Sequence, residues 1–187
     1  MRFALDESHE DFASSIDALL TKSDMPAVIR AWNTGDTTAG LAVWQRLADT
    51  GVNGLLVPEE HDGLGADAVD LVVALEQLGR HAVPGPVVET VAVAPALLSA
   101  VAPEKLAALA GGSLATVAFA PHVPYAVDTD VAALVLHVAD GTVSVGTAGP
   151  ARESVDRSRR LSEVSPSETL GTTDTAAAFD IGVLASA

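Results

Sequence analysis

The amino-acid sequence predicts an α+β protein, an N-terminal α-helical bundle followed by a small β-domain. Apolar residues recur at helical spacing through the first part of the chain, and the texture turns to short β-rich runs near residue 113. The third observation is compositional. Of 187 residues, 49% are hydrophobic but only 4% aromatic, so burial must come mainly from Ala, Val and Leu at close spacing, as in tightly packed helices.

In "FALDESHEDFASSIDALLTKS", Leu5, Phe12, Ile16, Leu19 and Leu20 fall on one helical face, with Asp6 placed to cap its start. A second helix is expected over 36–50, with Leu41, Trp44, Leu47 and Ala48 inward and Gly51 as its stop. The loop "GVNGLLVPEEHDGLGAD" follows. Its glycines at 51, 54, 63 and 65 are expected to turn at positive φ, and Pro58 to fix an extended approach. Adjacent carboxylates on an exposed loop lack the opposed geometry of acid–base chemistry, so Glu59 and Glu60 are read as structural, capping helix ends or bonding loop amides. The third helix, "DAVDLVVALEQLGRHA", carries Val69, Val72, Val73, Leu75, Glu76 and Leu78 and stops around Gly79 and Pro84. "PVVETVAVAPALLSAVAP" is apolar on nearly every side, as a helix of an interior or an interface is.

Strands are expected in "LATVAFA", "VAALVLHV" and "GTVSVGTA", the last after an Asp140-Gly141 turn. The charged, Ser-rich tail from Ala151 has room for one more around 161–164, before a Thr-rich linker. Asp174 then caps a closing helix bearing Phe179, Ile181 and Leu184. The resulting division is 1–112, 113–170 and 171–187.

The 25 acidic and 10 basic residues give a formal charge of −15, which repels phosphate backbones and anionic lipid, so neither nucleic acid nor a membrane surface is an expected partner. Asp6, Glu7, Glu10 and Asp11 stand where a signal peptide needs an apolar core, and no apolar run approaches the ~20 residues of a membrane span. A soluble, cytoplasmic protein is expected. There is no cysteine, and His9, His61, His81, His122 and His137 have no metal-ligand spacing, so no metal site is expected. Gly63-Leu64-Gly65 lacks the strand and third glycine of a dinucleotide fingerprint, and Ser113 and Ser144 lack a nucleophile elbow. Arg152, Arg157, Arg159 and Arg160 form a basic cluster, read as a solvated strand edge with intramolecular ion pairs and alternatively as a phosphate contact.

The string "GVNGLLVPEEHDGLGADAVDLVVALEQLGRHAVPGP" resembles the N-terminal helical domain of acyl-CoA dehydrogenases, with its G-x-x-G-L-x-x-P-E-E-x-G-G-x-G texture, a helix with E-x-L-G-R and then P-x-P. "FALDESHEDFASSI" is similar to the family's first helix, "VDRSRRLSEV" to the D-x-T-R-R-x-x-x-V strand of its middle β-domain, and "AFDIGVLASA" to the first helix of its C-terminal four-helix domain. The resemblance implies FAD as cofactor and an acyl-CoA or acyl-carrier thioester as substrate. A carboxylate would remove the α-proton while the β-hydrogen leaves as hydride to the flavin. In the family that carboxylate is a glutamate of the C-terminal domain, so no catalytic residue is assigned here.

By the same resemblance "PVVETVAVAPALL" is the substrate-facing helix, with Val87, Thr90, Val91 and Ala94 as walls of the acyl tunnel; packing of the bundle is the alternative for these four. Departures from the pattern bear on the flavin. Phe119, Ala120 and Pro121 replace the T-E-P turn, the G-S-D loop is missing, and neither Trp32 nor Trp44 can serve as the strand tryptophan. Weak or no FAD binding is expected, with any contact falling on backbone groups around Val117 and Phe119, since a strand edge can bond an isoalloxazine without side chains. The expected function is that of the N-terminal portion of an acyl-CoA dehydrogenase or dehydrogenase-like subunit, not competent alone. The alternatives are a flavin-free partner subunit of a heteromeric dehydrogenase and an acyl-CoA or acyl-carrier binding module. A marginal closing helix needs cover, so a homo-oligomer or a heteromer with a dehydrogenase subunit is expected.

Overall fold

A computed structural model describes residues 5–187; Phe3 and Ala4, at the start of the first expected helix, lie outside the described residues. Helix α1 spans Glu7–Thr21 and is held at its start by a reciprocal cap, with the Asp6 carboxylate accepting from the His9 amide (3.1 Å) and the His9 ring facing the Asp6 N–H. Ile16 and Leu20 are buried, whereas Leu5, expected on the same face, precedes the helix and is exposed.

Helix α2, Met25–Trp32, was not expected: eight residues are too few to display a period, although Asp24 caps it and Pro26 sits in its first turn. Helix α3, Thr38–Asp49, buries Val43, Trp44 and Leu47 but leaves Leu41 exposed. Gly40 lets α3 cross α2 closely, since a Cβ there would run into the Trp32 ring. Helix α4, Ala68–Arg80, starts on Asp67 and buries Leu71, Val73, Ala74 and Leu78. Val69 and Val72 are exposed because the inner face is phased on Leu71, Ala74 and Leu78, so the valine run is wider than the buried stripe. Asp17 and His81 (2.8 Å), with His9 and Asp70 (3.5 Å), tie α1 to α4.

The loop between α3 and α4 holds itself by main-chain bonds, Leu64 N–H to Gly54, Gly65 N–H to Val57 and Ala66 N–H to Leu55. Gly51 (φ 89) and Gly65 (φ 55) are left-handed as expected. Gly54 and Gly63 are not: Gly63 permits close approach, because a Cβ there would overlap the Val57 carbonyl, whereas one on Gly54 would only touch Ala110. Glu59 and Glu60 lie exposed on a short 3-10 turn and make no side-chain hydrogen bond among the described residues, so neither caps a helix nor bonds a loop amide.

A helical segment from Val87 opens into a π turn, Glu89–Val93, and continues as α5, Ala94–Val101. The Ala94 N–H reaches the Glu89 carbonyl five residues back. Pro95 offers no N–H to the Val91 carbonyl and crowds it, so the widened turn accommodates the ring without ending the helix. Helix α6, Leu106–Ala110, leads into the sheet.

The strands are β1 Ala115–Phe119, β2 Tyr125–Val127, β3 Leu134–Ala139, β4 Thr142–Glu153 and β5 Arg160–Thr172, in the order β1-β3-β4-β5-β2. β1 and β3 are parallel and the other pairs antiparallel. The turn at Asp140 (φ 49) and Gly141 (φ 75) has the left-handed pair that a tight hairpin needs. Three strands exceed expectation, β4 among them, since it continues past Ala148 to Glu153. β2 is only three residues long, and β5 runs on through the Thr-rich segment because β4 pairs with it as far as Thr172.

One core cluster joins α1, α3 and α4; a second joins α5 and α6 to β1, β3 and β4. Helix α7, Ala176–Ser186, docks on both: Ala178 is buried in the second, Ile181 packs on the first, and Gly182 approaches Val93 so closely that a Cβ would stand 2.9 Å from its Cγ2. Its N-cap is Thr175, without a side-chain cap bond; Asp174, expected as the cap, stands one residue earlier and accepts from the Ala176 amide at 3.0 Å, and Leu184 is exposed. Among the described residues no helix is long and apolar enough to cross a membrane.

Candidate functional site

The π turn, the outer end of β1, the segment before β5 and the inner face of α7 enclose a cavity of about 740 Å³. That volume suits a small organic ligand. Its walls are mostly aliphatic, from Val87, Val88, Val93, Val117 and Ala178, with Phe119 and Phe179 at one end and Glu89, Asp156, Ser158 and Arg159 as its polar groups.

Glu89 is the unusual member. It stands alone in an otherwise apolar run and begins the π turn, where helix widening sets it on the cavity wall. The carboxyl is partly open to the cavity, yet the surrounding apolar walls desolvate it and push it above its ordinary value. Its own backbone N–H and the charge of Arg159 pull it back, and Asp128 adds to the rise. Sequence reasoning passed over Glu89 and placed Arg159 only in the basic cluster; the available signal for Glu89 was a single carboxylate inside "PVVETVAVAPALL".

Of the residues named from the sequence, Val87, Val117 and Phe119 meet at the cavity. Thr90, Val91 and Ala94 do not line it: all are fully buried on the other side of the helical segment. Thr90 joins helix to sheet, its hydroxyl donating to the Ala115 carbonyl (2.9 Å) and accepting from the Ala115 N–H (3.1 Å). Val91 packs in the first core cluster and Ala94 in the second.

The flavin implied by the resemblance fits these residues poorly. The Phe119 N–H donates to the Val123 carbonyl at 2.7 Å, and the Phe119 carbonyl accepts from Val123 at 2.7 Å, so of the two strand positions named for an isoalloxazine, Phe119 has its main-chain groups engaged. The space beyond that strand end is filled by aromatic packing, Phe119 edge-on to Phe179 at 5.3 Å and His122 against Phe179 at 5.1 Å. Trp32 and Trp44 are buried among the helices, their indole N–H groups donating to Asp128 and to the Pro84 carbonyl.

The arginine cluster divides. Arg160 meets the fully buried Asp128 (3.3 Å) and the exposed Asp130 (3.1 Å) and lies over Trp32. Arg152 pairs with Glu163 at the surface (2.6 Å). Arg157 and Arg159 make no ion pair among the described residues, and Arg159 borders both the cavity and a smaller surface groove. No group of three potential metal ligands is found among the described residues.

Residues 6–120 match the family model described as acyl-CoA dehydrogenase, N-terminal domain. The acyl-CoA dehydrogenase IpdE2 of Mycolicibacterium smegmatis is 32% identical over 185 residues, covering 92% of this chain and 58% of the relative. IpdE2 of Mycobacterium tuberculosis is 31% identical over 169 residues, covering 87% of this chain and 52% of the relative. The chain thus spans a little over half the length of these curated relatives. Among solved structures, the steroid ACAD Tcur3481-Tcur3483 in its G363A variant superposes with a TM-score of 0.77 at 19% identity, over 96% of this chain and 61% of that one.

Proposed function

The chain belongs to the acyl-CoA dehydrogenase family, and we propose that it supplies the acyl-binding wall of such a dehydrogenase while the flavin and the proton-abstracting base reside on other polypeptide. Residues 1–112 would be the helical domain, 113–170 a shortened middle β-domain and 171–187 the first helix of the C-terminal bundle. The observation that carries this reading is the engaged Phe119 amide with Phe179 and His122 packed beyond it, beside a large aliphatic cavity that stays open. A protein that keeps room for an acyl chain but closes the flavin edge is suited to binding and orientation. The two-part name of the steroid ACAD neighbour favours the heteromeric version, in which a competent dehydrogenase subunit completes the site.

The test is purification of the whole chain, followed by flavin quantitation near 450 nm and calorimetric titration with octanoyl-CoA against CoA alone. Far less than one flavin per chain and saturable binding that needs the acyl group are expected. Stoichiometric FAD, or no difference between octanoyl-CoA and CoA, would refute the proposal.

A further inference from the structure

We propose that Glu89 recognises a hydroxyl group on the body of the acyl ligand, so that the cavity selects hydroxylated acyl groups over plain hydrocarbon ones. This rests on the acyl-binding reading above and narrows its substrate class.

The physical problem is the fate of the Glu89 carboxyl when the cavity fills. Its hydrogen-bonding neighbour is its own main-chain N–H; no side chain bonds it among the described residues, and Arg159 acts on it through charge without forming an ion pair. In the empty cavity, water can solvate the remaining lone pairs. A saturated hydrocarbon entering past Val87, Val93 and Val117 would strip that water and return nothing, which is the most unfavourable state for a carboxyl. A ligand carrying a matching polar group avoids that loss.

Which group matches follows from the surroundings. An ammonium only donates, so it can bond Glu89 solely in its ionised form, which burial disfavours, and a carboxylate or phosphate is repelled by Glu89 itself with Asp128 and Asp156 nearby. A ketone only accepts, so it can bond Glu89 solely in its protonated form. A hydroxyl donates to the carboxylate and accepts from the carboxylic acid, and so suits Glu89 in either state. The π turn places this one polar group on the helical wall without breaking the apolar surface around it.

The test is calorimetric titration of the full chain with decanoyl-CoA and with its 5-, 7- and 9-hydroxy derivatives. At least one hydroxylated ligand should bind about tenfold or more tightly than decanoyl-CoA, the size expected for one hydrogen bond to a charged group. Glu89→Ala should bring that ratio to about one, and Glu89→Gln, whose amide still donates and accepts, should keep part of it. Equal affinities across the panel, or a preference that survives in Glu89→Ala, overturn the inference and leave the acyl-binding reading standing. Failure of every thioester to bind overturns both. Circular dichroism of each variant verifies that it is folded.

Discussion

Replacing Arg160 by Met tests the contact that fastens the helices to the sheet. Asp128 is fully buried and accepts from the Trp32 indole N–H (3.3 Å) and the Arg160 amide (2.9 Å), with the Arg160 guanidinium 3.3 Å away. Methionine keeps the stem and the amide but removes the charge. Leaving one partner of a buried pair alone costs about 3–5 kcal/mol. The exposed bridge to Asp130 adds about 0–1 kcal/mol and the stacking on Trp32 about 0.5–1 kcal/mol. Protonation of Asp128 offsets part of the loss, so about 3 kcal/mol at neutral pH is expected.

The pH dependence is diagnostic. Burial already raises the Asp128 carboxyl above 3.8, against the opposing pull of the Arg160 amide, the Arg160 charge and the Trp32 bond. Between the unfolded value and the raised folded one, the native state binds more protons than the unfolded state, and stability falls as pH rises. Without Arg160 the folded value climbs further and that window extends upward. The gap between wild type and Arg160→Met should therefore widen as pH rises from the acidic range toward neutrality in urea melts. Adding Asp128→Asn to Arg160→Met should restore much of the stability and flatten the profile. A loss below about 1 kcal/mol at neutral pH, or a gap that ignores pH, would refute the reasoning.

Val91→Trp should destabilise the fold by about 1–3 kcal/mol or more, since Val91 is fully buried in the helical core, whereas Val87→Trp should leave the melting temperature nearly unchanged and weaken octanoyl-CoA binding. The reverse pattern would exchange their assigned places. Asn53 is fully buried with neither amide atom partnered among the described residues, so Asn53→Leu should stabilise the protein by about 1 kcal/mol in chemical denaturation, and a drop in stability counts against an orphaned amide. In Gly182→Val the new side chain must displace Val93, so amide hydrogen exchange should accelerate across 176–186 and not in β3; unchanged exchange in α7 would show that its docking does not depend on that contact.

Much of the fold was legible because its signals are local. Asp6 announced a helix start, Gly51 a stop and Asp140-Gly141 a hairpin, each through a conformation set by neighbouring residues. The misreadings arise where distant residues decide. α2 and β2 are too short to carry a period, and β2 is defined only by its pairing with β5 more than thirty residues on. Val69 and Val72 are as apolar as Leu71, and only the position of α1 determines which of them face inward. The cavity was half legible. Of the four residues named for the acyl wall only Val87 lines it, and Val117 and Phe119, named for flavin contacts, border it as well; the π turn rotates the helical segment so that Thr90, Val91 and Ala94 face its core and Glu89 the open space. Such a shift is invisible to a periodicity that assumes an unbroken α-helix.

The Trp32 fastening also dictates an order of events during synthesis. Its indole waits for Asp128, 96 residues later, and its carbonyl receives the Arg160 guanidinium across 128 residues. Closing so long a loop adds little free energy, about 0.6 kcal/mol per doubling of length, but it takes time, because the far partner has to be made first. While the ribosome is still short of residue 160, the helices can gather around Trp44, which needs only the Pro84 carbonyl 40 residues away. Trp32 meanwhile stays at the margin of a half-built surface. The two tryptophans thus serve as an early and a late clock on the same chain, and their separate fluorescence changes should resolve the collapse of the helices from the arrival of the final strand.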